Sequence, residues 1–122
     1  MKTIENEEIL DADILTDIKR RMIKEFLDLI ILTTVSKCPY SGYDIIRHIF
    51  SEYNILLSSG TVYSTLYALE RDRLLTGTLC GRKRMYKLDI KGRKYIQKYE
   101  KCLQLIHKFT YEFFNTIQNK IK

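Results

Sequence analysis

This sequence predicts a mainly α-helical protein with one small β-hairpin and a single long C-terminal helix. Three observations point there. Apolar residues recur at intervals of three and four through most of the chain, the spacing of one helix face. One proline and five glycines among 122 residues leave little room for loops. One short segment around Gly81 switches to period-two alternation, the mark of paired strands.

The first fifteen residues read as an acidic arm (1–15). Ile4, Ile9, Leu10, Ile14 and Ile18 give it and the turn beyond an apolar side, so it is expected to dock. A first helix is expected over residues 16–36, with Ile18, Met22, Phe26, Leu29, Ile30 and Thr33 as its stripe. Pro39 ends it, because the residue before a proline is pushed out of the helical region. Ser41 and Asp44 have the spacing of a capping box and open a second helix. Tyr43, Ile46, Ile49 and Phe50 are its expected buried side, and Asn54 its end.

Ser58 and Ser59 are a second N-cap signal, and a third helix should follow to about Arg73. On a wheel of about 100° per residue, Leu66 and Leu69 fall within roughly 40° of Val62. Ser64, Tyr67 and Arg71 lie on the opposite side. Only a few residues separate the second and third helices, which is a helix-turn-helix spacing. Then "LLTGTLC" and "RMYKLD" flank Gly81, whose backbone freedom suits a tight turn. A helix-turn-helix followed directly by a basic-tipped hairpin is a winged helix, here over residues 16–89. The last segment, 90–122, reads as one helix. Ile96, Tyr99, Leu103, Ile106, Phe109, Phe113 and Ile117 lie along it as a broad seam. At 1.5 Å per residue it would extend about 45 Å, more than one small domain covers, so a second copy is the expected cover.

Charge bounds the partner. Residues 1–17 carry six acids against Lys2, a net −5, which leaves +11 on the remainder of a chain whose total is +6. A basic body with an acidic tip suits a polyanion. No run is long and apolar enough for a membrane span, and the acidic start does not resemble a signal peptide, so a cytoplasmic protein is expected. Cys38, Cys80 and Cys102 form no Cys-x-x-Cys pair, and neither His48 nor His107 completes a zinc spacing. No metal or cofactor is therefore expected, and the thiols are expected to be reduced and mostly buried. Cys80, beside Arg82, Lys83 and Arg84, is the best placed of them for redox chemistry. Nothing resembles a catalytic triad, a phosphate loop or a paired-carboxylate site, so an enzyme is not expected.

The sequence resembles the PadR-like winged-helix transcriptional regulators, chiefly the short subfamily with one C-terminal helix. The residues that carry this are "SGYDIIRHI" in the second helix, "SSGTVYSTLYALERDRLL" in the third, and "RKRMYKLDIKGRKYI" at the end of the hairpin. The likeness covers about residues 20–100. It implies a homodimer that binds double-stranded DNA, and a repressor. Two departures stand out: a short hairpin, and no tryptophan, the residue with which some members bind flat aromatic ligands between subunits. A ligand is therefore not carried over, although Tyr95, Tyr99, Phe109 and Phe113 could line a pocket for a small-molecule effector at the dimer interface.

The chemistry of DNA recognition assigns roles. Ser59, Gly60 and Thr61 open the third helix, where free amides and the helix dipole favour phosphate. Thr61 and Ser64 are placed to contact base edges or phosphates, while Tyr67 and Arg71 reach further, chiefly to the backbone. No acid interrupts residues 58–69. Arg82, Lys83 and Arg84 would lie along phosphates or enter a narrow minor groove. Lys37 and Arg47 are secondary candidates. Two other uses stay open at this point: a non-specific architectural DNA binder, and a winged helix that docks a protein.

Overall fold

The computed structural model describes residues 2–122, with side chains described from residue 13 onward. The elements run α1 (Lys2–Glu25), α2 (Leu27–Thr34), β1 (Tyr40–Ser41), α3 (Gly42–Tyr53), α4 (Ser59–Arg71), β2 (Leu75–Cys80), β3 (Lys83–Leu88) and α5 (Ile90–Ile121). This is a winged helix with a long C-terminal helix. No described helix is long and apolar enough to cross a membrane.

The helix expected over residues 16–36 is two helices. Phe26, with φ −104° and ψ 22°, separates them. The chain bends there with little loss, since Phe26 N–H still donates to Met22 and Ile30 N–H to Phe26, both at 3.0 Å. α1 extends back to Lys2, so the boundary expected after residue 15 falls inside a continuous helix. The side chains of Ile4, Ile9 and Leu10 lie outside the described residues.

On α1, α2 and α3 the buried face is only partly the one expected: Ile49 is buried and Ile30 and Ile46 pack against the core, but the rest of the face is turned. On α1 and α2 the core takes Ile23, Leu27, Ile31, Leu32 and Val35, while Met22 and Phe26 are exposed. On α3 it takes Ile45 and Ile49, with Gly42 against the ring of Tyr63, whereas Tyr43 and Phe50 remain 60% and 49% exposed. The reason is that each helix is apolar on two sides. Period alone finds both stripes and cannot say which one meets the domain. On α4 only one stripe exists, and Val62, Leu66 and Leu69 are buried as expected.

The caps are as the sequence indicates. Asp44 N–H donates to Ser41 Oγ at 3.1 Å, and Ser41 N–H donates to Asp44 Oδ2 at 3.2 Å. Asn54 ends α3 in the left-handed region at φ 57°. Ser58 Oγ accepts from Thr61 N–H at 3.2 Å. Ser41→Ala is expected to lower stability by about 1 kcal/mol in denaturant titration. The two hydrogen bonds from Ser41, hydroxyl first, hold the Asp44 carboxyl below the ordinary carboxylate range. A depressed carboxyl stabilises the fold at neutral pH, and that contribution is lost as pH falls through its folded value, so the Ser41→Ala deficit should shrink in acid.

The sheet is antiparallel with order β1-β3-β2. β2 and β3 pair from Leu75↔Leu88 to Cys80↔Lys83, around Gly81 at φ +65°. β1 adds the pairs Tyr40↔Tyr86 and Ser41↔Met85. This third strand was not anticipated, because two residues are too few to show an alternation. Tyr86 and Leu75 enter the core.

α5 begins at Asp89, whose carboxylate accepts from Ile90 N–H at 2.8 Å and from the Thr76 hydroxyl at 2.9 Å. Gly92 is buried against the backbone carbonyl of Leu74. Tyr95 and Ile96 still pack on the core, but from Leu103 onward no apolar side chain is buried. The cysteines correct an expectation: Cys38, Cys80 and Cys102 are all exposed. They sit on the loop before Pro39, at the end of β2 and on the outer length of α5, none of which faces the core.

Candidate nucleic-acid interface

α4 presents the surface to weigh first. Behind it, Val62, Leu66 and Leu69 anchor the helix to α2 and α3. In front, helical geometry places Gly60, Ser64, Tyr67 and Arg71 in one stripe directly opposite Val62. Ser59, Gly60, Ser64, Tyr67 and Arg71 are exposed. Thr61 is only partly so, and its hydroxyl is shared with Ser58 Oγ at 2.8 Å as part of the cap. Ser64 Oγ donates back to the Thr61 carbonyl at 3.1 Å, leaving its lone pairs outward. Arg71 makes one loose contact, 3.9 Å from the Asp72 carboxylate with both groups largely in solvent. It is free to engage another anion.

Gly60 is informative. A β-carbon built there would meet nothing within 4 Å, so no packing inside the chain requires a glycine. Glycine costs a helix about 1 kcal/mol relative to alanine. Its presence on the exposed stripe suits close approach by something outside the chain.

The hairpin tip divides the three expected cations. Arg82 and Lys83 are exposed beside the Gly81 turn. Arg84 is placed otherwise. Strand alternation turns it to the face it shares with Tyr86, and its guanidinium bonds the carboxylate of Glu70 in the last turn of α4. It lies 6.0 Å from the centre of the Tyr86 ring. Glu70, by hydrogen bond and charge, holds the Arg84 guanidinium above its ordinary pKa. Glu70, the partner of Arg84, is not among the residues the sequence singles out. The signal was present, since Glu70 is the lone acid of α4 and alternation puts Arg84 with Tyr86.

The secondary candidates are less committed. Arg47 lies over the Tyr43 ring at 5.7 Å, and Lys37 is exposed after α2. The aromatics that could line a pocket between subunits fall in two groups. Tyr95 and Tyr99 meet edge to face at 5.2 Å and line a shallow groove of about 300 Å³ with Lys98, Cys102 and Ile106. The Tyr99 hydroxyl and burial push Tyr95 up to about 12. Phe109 and Phe113 lie one to two turns beyond Ile106; their rings meet at 5.9 Å, and Phe113 meets Phe114 edge to face at 5.3 Å. Near that end, Phe113, Phe114 and Ile117 face Ile18 and Met22 of α1, and Phe26 just beyond it, across a groove of about 430 Å³.

Comparisons with known proteins agree with this architecture. A protein of similar fold is a PadR family transcription regulator from Clostridium difficile, with TM-score 0.67 and 20% identity, covering 73% of this chain and 98% of that one. A PadR-like transcriptional regulator from Bacillus cereus superposes with TM-score 0.68 and 21% identity over 77% of this chain and 96% of its own. Bacillus subtilis PadR, in complex with operator DNA, is 26% identical with TM-score 0.53, over 60% of this chain and 46% of that longer one. No protein of curated function matches. The family described as "Transcriptional regulator PadR-like family" matches residues 31–98, which run from α2 into the first turns of α5 and hold the helix-turn-helix, the hairpin and the Gly92 seat. The chain belongs to the PadR-like family of transcriptional regulators.

Proposed function

We propose that the protein is a homodimeric, sequence-specific DNA-binding regulator that represses by occupying promoter DNA. The observation that carries this is the outward stripe of α4: exposed, free of acids from Ser59 to Leu69, opening at a glycine that packing does not need, and held rigid by a buried opposite face. Gly60, Ser64 and Tyr67 would enter the major groove, with Arg71 on the backbone. Ser59 and Thr61 would set the helix start against a phosphate. Arg82 and Lys83 would follow phosphates beside it or enter the minor groove. The operator complex of Bacillus subtilis PadR supports this use of the fold. The direction of control rests on family likeness.

Dimerisation would cover what the single chain leaves open. The seam of Leu103, Ile106, Phe109, Phe113 and Ile117 is exposed, Phe109 by 66%. Its outer end, Phe113 and Ile117, meets the exposed side of α1 in the groove described above, which a second copy would cover. Ile96 and Tyr99 would sit at the inner end of that interface. Two α4 helices would then face successive major grooves about 34 Å apart.

Gel shifts at fixed salt test the reading. Arg71→Ala, and Arg82→Ala with Lys83→Ala, should each weaken promoter binding about five- to tenfold with the oligomeric state unchanged. Gly60→Ala should leave the fold equal or slightly more stable while lowering affinity. Equal affinity of the unmodified protein for its own promoter and for random DNA, at about 150 mM salt, would instead favour an architectural binder.

A further inference from the structure

We propose that Glu70 and Arg84 are positioning residues that lock the wing to the recognition helix, and that Arg84 is not itself a DNA contact. This rests on the DNA-binding reading above and assigns the pair a role within it.

Three features converge on the Arg84 guanidinium. The Glu70 carboxylate, in the last turn of α4, accepts its hydrogen bond. The Tyr86 ring, fully buried, lies beneath it. Gly77 on the neighbouring strand leaves the space it occupies, since a β-carbon there would stand 2.6 Å from Arg84 Nε. A side chain seated in three ways between helix and strand has little freedom to reach outward. The side chains are 43% and 27% exposed, so the contact is partly screened from water and stronger than a free surface pair.

The charges follow the same logic. Glu70 is the only acid on α4, and an unpaired carboxylate on a helix beside phosphates would repel them. Arg84 neutralises it. The pair thus removes a repulsion, and it joins the two elements proposed to grip DNA. β2 is tied to α4 through the short link between Arg71 and Leu75, and the pair adds a second tie, from β3. Without that tie the wing would have to be ordered on binding, at a cost in affinity.

The experiment compares Glu70→Gln, Arg84→Gln and the exchange Glu70→Arg with Arg84→Glu, on the full chain. Promoter affinity is measured across a salt series, and amide hydrogen exchange of β2 and β3 is measured without DNA. Positioning predicts that both single variants bind about three- to tenfold more weakly, with an unchanged salt slope, and that the exchange variant recovers most of the loss. Hairpin amides should exchange faster in both single variants. A direct contact predicts otherwise: Glu70→Gln, by freeing Arg84, binds as tightly or more tightly, and Arg84→Gln flattens the salt slope by about one. Either result overturns the proposal, as does unchanged hairpin exchange in both single variants. If the unmodified protein showed no preference for its promoter, the sequence-specific reading would fail, while the exchange measurement would still decide whether the pair holds the wing.

Discussion

Ile106→Glu combined with Phe113→Glu is expected to abolish the dimer and to weaken promoter binding by about a hundredfold or more. Both side chains are exposed on α5 in the single chain, so charge there leaves the domain's own core untouched. In the proposed dimer both would be buried in the seam, where an unpaired carboxylate is costly. The loss in affinity follows from linkage. In a dimer, the second half-site is met at an effective concentration near millimolar, and a monomer forfeits that gain. Size-exclusion chromatography with light scattering reads the first effect and a gel shift the second. The circular dichroism spectrum should stay helical. A double variant that remained a dimer would show that α5 is not the main interface.

Gly92→Ala is expected to lower stability by about 2–3 kcal/mol, or roughly 10 °C in Tm for a domain of this size. Ordinarily, alanine in place of a helical glycine stabilises a helix. Here the added carbon would run into the backbone carbonyl of Leu74 and stand 2.8 Å from Leu88 Cδ1. That carbonyl accepts from Asp89 N–H at 3.1 Å, so it is not free to swing aside. The start of α5 must move away from the hairpin instead. Thermal melting measures the cost. A variant as stable as the parent would mean that the helix start is loosely seated.

The order of elements was legible because several signals agreed locally: capping serines, the lone proline, Asn54 and Gly81 each mark a boundary that the structure keeps. The buried stripe of α4, Val62, Leu66 and Leu69, is legible for a physical reason, namely that this helix has a single apolar stripe. α1, α2 and α3 each have a second one, and a monomer's sequence does not say which stripe its own core takes. The sides misassigned on α1 and α3, bearing Met22 and Phe26 or Tyr43 and Phe50, stay exposed in the chain. Position 84 groups with its basic neighbours by composition, whereas strand alternation sets it beside Tyr86. Its partner, Glu70, is fourteen residues away, and only pairing across the hairpin brings them together. The two-residue strand β1 exists only through its pairing with β3 and leaves no trace in a linear pattern.

The seat of Gly92 has a mechanical consequence. α5 is a lever of about 48 Å whose fulcrum is the contact with Leu74. A tilt of about 5° at the fulcrum carries the far end roughly 4 Å, more than the 3.4 Å rise of one base pair. In the proposed dimer the far ends are joined, so the same tilt appears as a change in the span between the two reading heads. The stiffness of the seat at Gly92 would then help set how far the distance between the two half-sites can vary.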